Sequence, residues 1–578
     1  MKAQMPPLPI PALSQTIDQY LERIKPLVSP EVYHAAEQTA RQFETGSGQR
    51  LHRLLENWDA NLDGSWLKPF WDEGYLIGRL PLNGNVNYIL TLDTDDLPRP
   101  DSFHALCAEL VATLTEIYCQ IVDGTLPLTY AGDSPLCMSQ YPYVLKSCRI
   151  PLEGRDELFV GEKSRCCAHI VILHRENVYS LQVTDESGNI YSLPQLAESI
   201  LEIVSRTDTP TLNIGAMTEA PRDEAARLRQ RLIDFDNQNR ENLRQIETAL
   251  FALCVDEPQD VRSKGEVVFD TLYGPSKNRY FDKCVQLIVG TDYSVGFNFE
   301  HSGFDGAVSV DLVRRVFEHR KAGHAPTCGE STGCLISRLD WVTDEGIRDT
   351  VAEMQDQSMA RGKGLHIWAK RFHDLGSNGI KALKSSPDAF FHLALQLAWY
   401  RLHGRLDSTY EAVSMQHFYQ GRTEGARPAT ADVLQFVTAC AQNKPPMELA
   451  ELARKAFKTH SAMLAQCRAG QAPERHLLGL QAMLATEKEP LAAAEDLFSS
   501  QGYQILKHDT LSTSGLAAEC VDIFGFAPTA RNGFAIGYGL CPEDIRLCIS
   551  CFEEDKDTLI PLTTAFEKAL LDLRDILA

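Results

Sequence analysis

The stretch Gly296–Gly306, GFNFEHSGFDG, ends a strand-like segment on His301, and an aspartate followed by a glycine comes four residues later. With the residues before it, it predicts a β-hairpin whose turn lies at Gly290–Tyr293. His301 then stands where the second strand ends and the chain turns through Gly303. A strand end fixes a side chain and a turn exposes it, so this position suits a reactive group.

His301 has two interpretations at this point. It is either a structural histidine at a strand end or a base, because a neutral imidazole near pH 7 can take a proton from a hydroxyl or thiol. Asp305, four residues later, can hold the loop or pair with an arginine without transferring a proton.

A second stretch, Leu511–Gly515 (LSTSG), clusters three hydroxyl groups. It is either a polar turn or, beside a histidine base, a stabiliser of an oxyanion. The chain has no GxSxG nucleophile elbow, so a serine acyl-enzyme is not expected.

The segments around these stretches predict both helices and strands. Ser386, Pro387 and Gly404 delimit an almost wholly apolar helix that should be buried centrally. Other segments are predicted as helices near residues 15–46, one long helix over 223–253, a strand pair at 168–183 turning at Arg175–Asn177, and late strands in GFAIGYGL and IRLCISCF. Such a mixture of helices and strands indicates an α/β or α+β body of two lobes.

Composition narrows the class of protein. The 578 residues, 44% of them hydrophobic, can bury a large core, and the net charge of -22 argues against nucleic acid or an anionic membrane as a partner. No signal-peptide pattern and no apolar run of about 20 residues are evident, so we expect a cytoplasmic protein without a membrane span. Cys548 and Cys551 have C-x-x-C spacing but no second pair, so they are expected to be buried strand cysteines and no metal is predicted.

EHSGFDG resembles the His-x-x-x-Asp-Gly motif of the CoA-dependent acyltransferase superfamily, and the closer resemblance is to the choline/carnitine acyltransferase family. The family motifs occur in order as PPLPIPAL, LCMSQYPYVLKSCRIP, NRYFDK, SPDAFFHLALQLAWYRLHG, STYEAVS, GRTEGAR, ERHLLGL, LSTSG and GYG. The resemblance implies an α/β fold of two lobes, each a mixed sheet with helices, with an active-site tunnel at their interface. Residues 51–344 would form the lobe carrying the histidine. Residues 1–50 and 345–578 would form the lobe carrying the acceptor and thioester motifs.

The resemblance also implies roles for individual residues. His301 would be the general base, Asp305 its acidic partner in the motif and Ser514 the oxyanion donor. The residues implied for the acceptor are Tyr410, Thr423, Arg475 and Ser512. An arginine fork is the preferred partner of a carboxylate, so carnitine is favoured over choline as the acceptor.

The thioester side departs from the family pattern. The residues implied for binding CoA or phosphopantetheine are Lys381, Lys384, Asp388, Glu411 and Ser414. Ser377, Ala412 and Ser461 stand where the family has further CoA contacts, and Gly515 where it has a larger polar residue. Asp522 occupies the position that gates the acyl pocket in the family.

Three functions are compatible with these residues. The first is acyl transfer between a CoA or phosphopantetheine thioester, as co-substrate without a bound cofactor, and carnitine. The second is release of a polyketide or other acyl chain from an acyl carrier protein onto a polyol or another alcohol. The third is a scaffold that only binds acyl groups, against which the intact His301, Asp305 and Ser512–Ser514 argue.

Overall fold

The computed structural model describes residues 5–274, 277–323, 334–516 and 518–578. The helices are α1 Leu13–Ile24, α2 Pro30–Thr45, α3 Ser47–Ala60, α4 Lys68–Leu76, α5 Phe103–Asp123, α6 Leu193–Ser205, α7 Gly215–Thr218, α8 Arg222–Phe235, α9 Asn237–Thr248, α10 Lys264–Leu272, α11 Gly306–Lys321, α12 Glu345–Gly362, α13 Ser377–Ala382, α14 Pro387–His403, α15 Ala431–Ala441, α16 Pro446–Arg468, α17 Pro473–Thr486, α18 Ala492–Ser499, α19 Gln501–Lys507 and α20 Lys556–Leu577. The strands are β1 Tyr88–Leu92, β2 Tyr130–Ala131, β3 Ser134–Pro135, β4 Ser147–Ile150, β5 Glu157–Val160, β6 His169–His174, β7 Asn177–Gln182, β8 Ala252–Asp256, β9 Val285–Gly290, β10 Val295–Phe299, β11 Ile336–Arg338, β12 Leu365–Phe372, β13 Thr409–Ser414, β14 Thr423–Ala426, β15 Leu511–Gly515, β16 Val521–Phe526, β17 Phe534–Leu540 and β18 Ile545–Phe552.

Two mixed sheets organise these elements. The first has the strand order β11-β7-β6-β8-β9-β10-β1-β16, and the second β12-β18-β17-β15-β13-β14. Pairing is parallel from β6 through β8 to β9 and from β13 through β15 to β17, and antiparallel elsewhere in both sheets. Helices cover each sheet, so the chain has the α/β architecture of two lobes that its sequence predicts.

The hairpin that presents His301 forms as expected. Strands β9 and β10 pair in register, with Val289 opposite Val295 and Val285 opposite Phe299. Tyr293 has φ 68° in the turn, and His301 follows two residues after the end of β10. Because β10 lies between β9 and β1, the backbone before His301 is held on both sides.

Helix α14 also agrees with its prediction. It begins at Pro387 and ends before Gly404, whose φ of 69° is the left-handed conformation of a C-cap. Ser386 occupies the N-cap position, although its side chain forms no capping hydrogen bond. The helix packs in the core beside α20 and the second sheet, which accounts for its lack of a polar face.

The single long helix predicted over 223–253 is wrong. Asp236 has extended φ and ψ of -155° and 143°, and its side chain accepts a hydrogen bond from the backbone N–H of Gln238. It therefore caps α9 and separates it from α8. The last residues of the segment enter the middle of the first sheet as β8, because burial in the sheet overrides helical propensity.

The structure differs from the lobe bounds 51–344 and 345–578 in three places, the first being that helix α12 packs with α7 and α8 in the core of the first lobe. Strand β16 belongs to the first sheet, where it pairs with β1. Helix α3 packs with α1, α2 and α17, among elements of the second lobe. At the crossing of the two lobes a Cβ on Gly537 would lie 2.3 Å from the carbonyl oxygen of Phe524, so only glycine allows β17 to approach β16 this closely.

Helix α5 is long and apolar enough, by length and composition, to cross a membrane. The sequence analysis did not single out a helix of this length and apolar composition. In the structure 67% of its most apolar window is buried, and its residues belong to the hydrophobic core beneath the first sheet. The core helix of a globular lobe meets the same criterion.

Candidate active site

A cavity of about 480 Å³ lies where elements of the two lobes meet. It brings together most of the residues singled out in the sequence. Its lining includes His301, Asp305, Tyr410, Ser414, Thr423, Arg475, Ser512, Thr513 and Ser514, together with Trp71, Tyr75, Tyr88 and Phe524.

The hydrogen bonds of His301 define its tautomer. Its Nδ1 lies 2.9 Å from the carbonyl oxygen of Phe304, which can only accept, so Nδ1 carries the proton and Nε2 presents a lone pair. The rings of Tyr88 and Tyr75 lie against the imidazole, at centroid distances of 4.7 and 5.1 Å. Burial lowers the pKa of His301 below 6.5, although Asp305 acts in the opposite direction. The imidazole is therefore neutral near pH 7, as a general base must be.

Asp305 holds the loop that carries His301. Its carboxylate lies 3.1 Å from Nε of Arg422 and accepts a hydrogen bond of 3.0 Å from Gln140. Arg422 in turn donates to the backbone carbonyls of His301 and Ser302. The distance from Asp305 to Nδ1 of His301 is 4.0 Å, so the carboxylate orders the loop and supplies negative charge without hydrogen bonding to the imidazole.

The three hydroxyls of LSTSG lie on β15, which is a strand rather than a turn. Thr513 donates to the carbonyl oxygen of Tyr410 at 2.8 Å, so its hydroxyl is engaged. The hydroxyls of Ser512 and Ser514 form no hydrogen bond with the residues that the structure describes, and both residues line the cavity. They are therefore available to a ligand.

Tyr410, Thr423 and Arg475 form one cluster. Arg475 donates through Nη2 to the hydroxyl of Tyr410 at 2.8 Å and through Nε to the carbonyl oxygen of Thr423 at 2.7 Å. The same Nη2 lies 3.4 Å from Oγ1 of Thr423. The guanidinium lies 4.3 Å from the ring centroid of Trp71, which orients its plane. A fixed guanidinium with two hydroxyls is well suited to a carboxylate.

The residues assigned to the thioester are more dispersed. Ser414 lines the cavity, whereas Lys381 and Lys384 are exposed at the junction of α13 and α14 and do not. Asp388 and Glu411 do not line it either.

Asp388 and Glu411 belong instead to a buried polar cluster with His392 and His460. Nε2 of His460 lies 2.8 Å from Asp388, and Nε2 of His392 lies 3.2 Å from Glu411. Burial lowers the pKa of His392 to about 3, so its imidazole is neutral. Burial, reinforced by the charge of Asp388, raises the pKa of Glu411 well above its usual value.

Asp522 does not gate this cavity. Its carboxylate forms ion pairs with Lys264 and Arg371, each at 2.6 Å. Phe524, two residues further along β16, lines the cavity in its place. Cys548 and Cys551 are buried in different hydrophobic clusters, so the C-x-x-C spacing does not bring their thiols together.

Several residues of the site were not found from the sequence. Trp71, Tyr75 and Tyr88 line the cavity, but single aromatic residues in α4 and β1 carry no signal of their own. Arg422 immediately precedes Thr423 in GRTEGAR, so a charged residue beside a predicted ligand could have drawn attention to it.

Comparisons with known proteins place the chain among the acyltransferases. The family described as Choline/Carnitine o-acyltransferase matches residues 8–570, and the chain belongs to this family. It is 31% identical to the carnitine O-acetyltransferase of Columba livia, over 99% of this chain and 93% of that protein. It is 29% identical to the mitochondrial carnitine O-palmitoyltransferase 2 of Bos taurus, over 99% of this chain and 92% of that protein.

Solved structures show more distant similarity. A trichothecene 15-O-acetyltransferase from Fusarium sporotrichioides matches with a TM-score of 0.42 and 10% identity, over 87% of this chain and 94% of that chain. A condensation domain that mediates chain release from the enacyloxin polyketide synthase matches with a TM-score of 0.34 and 10% identity, over 88% of this chain and 81% of that chain.

Proposed function

We propose that the protein transfers an acyl group between the thioester of CoA and the hydroxyl of carnitine, with His301 as general base. The observation that carries the proposal is the cluster of Arg475, Tyr410 and Thr423 in the same cavity as His301. Carnitine has both a carboxylate and a hydroxyl, so one molecule can meet the guanidinium and the imidazole together. The family membership and the relatives named above support the same reaction.

The proposed reaction needs no covalent enzyme intermediate. Nε2 of His301 takes the proton of the acceptor hydroxyl as its oxygen attacks the thioester carbonyl. Ser514 donates to the oxyanion of the tetrahedral intermediate. The intermediate then collapses, the C–S bond breaks, and the thiolate takes the proton from His301. In the opposite direction His301 activates the thiol of CoA.

Arg475→Asn tests the acceptor. Removing the charge partner of a carboxylate should raise the KM for carnitine about tenfold or more, because a charge-assisted hydrogen bond contributes about 1.5–3 kcal/mol. The measurement is thiol release from acyl-CoAs of several lengths at varied carnitine concentration, with choline as a parallel acceptor. Choline lacks the carboxylate, so its use should change little.

Arg454→Asn is the matched control, since Arg454 is exposed on α16. It should leave the KM for carnitine unchanged. If Arg475→Asn also left it unchanged, carnitine would not be the acceptor.

A second candidate is transfer from an acyl carrier protein to another alcohol. Ala412 lines the cavity without a polar group, and the exposed Lys381 and Lys384 offer a local basic surface on an acidic protein. The missing polar contact favours a donor whose nucleotide is bound weakly, and the basic surface suits docking of an acidic carrier protein.

The donor is tested by comparing kcat/KM for acyl-CoA, acyl-dephospho-CoA and acyl-pantetheine with one acceptor. If removing the 3′-phosphate lowers kcat/KM by less than about threefold, which corresponds to about 0.6 kcal/mol, the result supports the carrier-protein donor. A loss of about tenfold or more supports CoA.

A further inference from the structure

We propose that Asp388, His392, Glu411 and His460 form a structural binding site for one Zn²⁺-class divalent cation. The four side chains offer two imidazole nitrogens and two carboxylate oxygens, all within 4.8 Å of one another. This set of ligands is typical of zinc, which accepts histidine nitrogen and carboxylate oxygen.

Three different elements contribute the ligands. Asp388 and His392 are four residues apart in the first turns of α14, so they share one face of the helix. Glu411 comes from β13, and His460 from the middle of α16. The site would therefore join two helices to a strand of the second sheet.

The spacing of the ligand atoms fits four-coordinate binding. With metal–ligand distances of about 2.0–2.2 Å, the ligands of a tetrahedral site lie about 3.3–3.6 Å apart. Nε2 of His392 is 3.2 Å and Nε2 of His460 is 3.5 Å from Oε2 of Glu411. Nε2 of His460 is 2.8 Å from Oδ2 of Asp388, so a small adjustment of side chains would admit the ion.

Oε2 of Glu411 is the atom that most directly indicates a missing partner. Glu411 is 5% exposed, and this oxygen accepts no hydrogen bond in the described structure although it points between the two imidazoles. A buried carboxyl oxygen without a partner is costly whether the group is protonated or ionised, whereas coordination to a cation satisfies it.

The charge of the cluster also favours a cation. Among the residues that the structure describes, neither Asp388 nor Glu411 forms an ion pair with a lysine or arginine. A divalent ion would neutralise both carboxylates, leaving the imidazoles neutral as ligands. Tyr538 donates a hydrogen bond of 2.6 Å to Oδ1 of Asp388, which would orient this ligand from outside the site.

The position of the proposed ion behind β13 indicates a structural role. Tyr410, Ala412 and Ser414 of β13 line the cavity, while Glu411 lies between them in sequence and points to the opposite face of the strand. The ion would bind behind the cavity wall, with four protein ligands and no open position, and would hold β13 in place rather than take part in the reaction.

The experiment measures binding of Zn²⁺ and Co²⁺ to the full-length protein after removal of metal with a chelator. We expect one ion per chain, and the spectrum of bound Co²⁺ should show tetrahedral nitrogen and oxygen ligation without a thiolate charge-transfer band. His392→Gln and Glu411→Gln should each weaken Zn²⁺ binding at least about tenfold and abolish the stabilisation of the protein against heat by Zn²⁺.

His403→Gln, at the other end of α14, is the matched control and should bind Zn²⁺ as the unaltered protein does. If a ligand variant fails to fold, the stoichiometry and Co²⁺ spectrum of the unaltered protein decide the question. Less than one ion per five chains, thiolate ligation, or unchanged affinity in folded His392→Gln and Glu411→Gln would overturn the proposal. These readouts are independent of acyl transfer, so they do not depend on the proposed function.

Discussion

Arg422 and Arg475 are both nearly buried, at 2% and 6% exposure, yet their guanidinium groups face different surroundings. Arg422 has a carboxylate, Asp305, at 3.1 Å and two backbone carbonyls of the histidine loop. Arg475 has a hydroxyl, a carbonyl and the face of Trp71, and within the described ranges it forms no ion pair. The first arginine is ion-paired within the fold, while the second has only the longer-range charges of the buried Glu424 and Glu474, which leaves its guanidinium suited to the proposed carboxylate ligand. This difference is the one expected between a residue that orders the loop of His301 and a residue proposed to bind the acceptor.

The largest expected effect concerns His301, the proposed base, whose loop is held by Arg422. His301→Ala should lower kcat by about 10²–10⁴-fold with little change in substrate binding, because only proton transfer is removed. Steady-state kinetics and a binding titration with carnitine measure the two effects. His373→Ala, at an exposed position, should be normal. Near-normal turnover in folded His301→Ala protein would end the proposal that His301 is the base.

Stability should distinguish the two arginines themselves. Arg422→Met leaves the buried carboxylate of Asp305 without its charge partner, so the free energy of unfolding should fall by about 3–5 kcal/mol. Arg475→Met removes hydrogen bonds but strands no ion-paired carboxylate, so a loss of about 1–3 kcal/mol is expected. Urea unfolding followed by circular dichroism measures both. Equal losses would show that the contrast between the arginines is not real.

The smallest effect is expected at β15, across the cavity. Ser514→Ala should reduce kcat by about 10²-fold, as removal of one oxyanion donor does. Thr513→Ala is the comparison, because its hydroxyl is already bonded to Tyr410 and should contribute about 1 kcal/mol to stability instead. If Thr513→Ala lowered kcat more than Ser514→Ala, the oxyanion donor would be misassigned.

Features encoded by neighbouring residues could be predicted from the sequence. The β9–β10 hairpin and α14 depend on a turn, a proline and a glycine within a short stretch. The cluster of Arg475, Tyr410 and Thr423 was anticipated only through the resemblance to a family, since three distant segments meet there.

Features created by packing could not be predicted in this way. The cluster of Asp388, His392, Glu411 and His460 spans α14, β13 and α16, so no spacing in the sequence reveals it. The break between α8 and α9 depends on one capping aspartate in an otherwise helical pattern, and β8 is a strand only because a sheet surrounds it.

The pairing of β16 with β1 affects how the protein folds during its synthesis. The edge of the first sheet is completed only when Val521–Phe526 pairs with Tyr88–Leu92, more than 400 residues earlier in the chain. During synthesis the amino-terminal lobe therefore waits with β1 unpaired on one side until nearly the whole polypeptide has left the ribosome. Closing so long a loop is slow, and an open strand edge invites association with other chains. Expression of residues 51–344 alone should therefore give aggregated protein, and adding the β16 segment in trans is the direct way to test whether this edge is responsible.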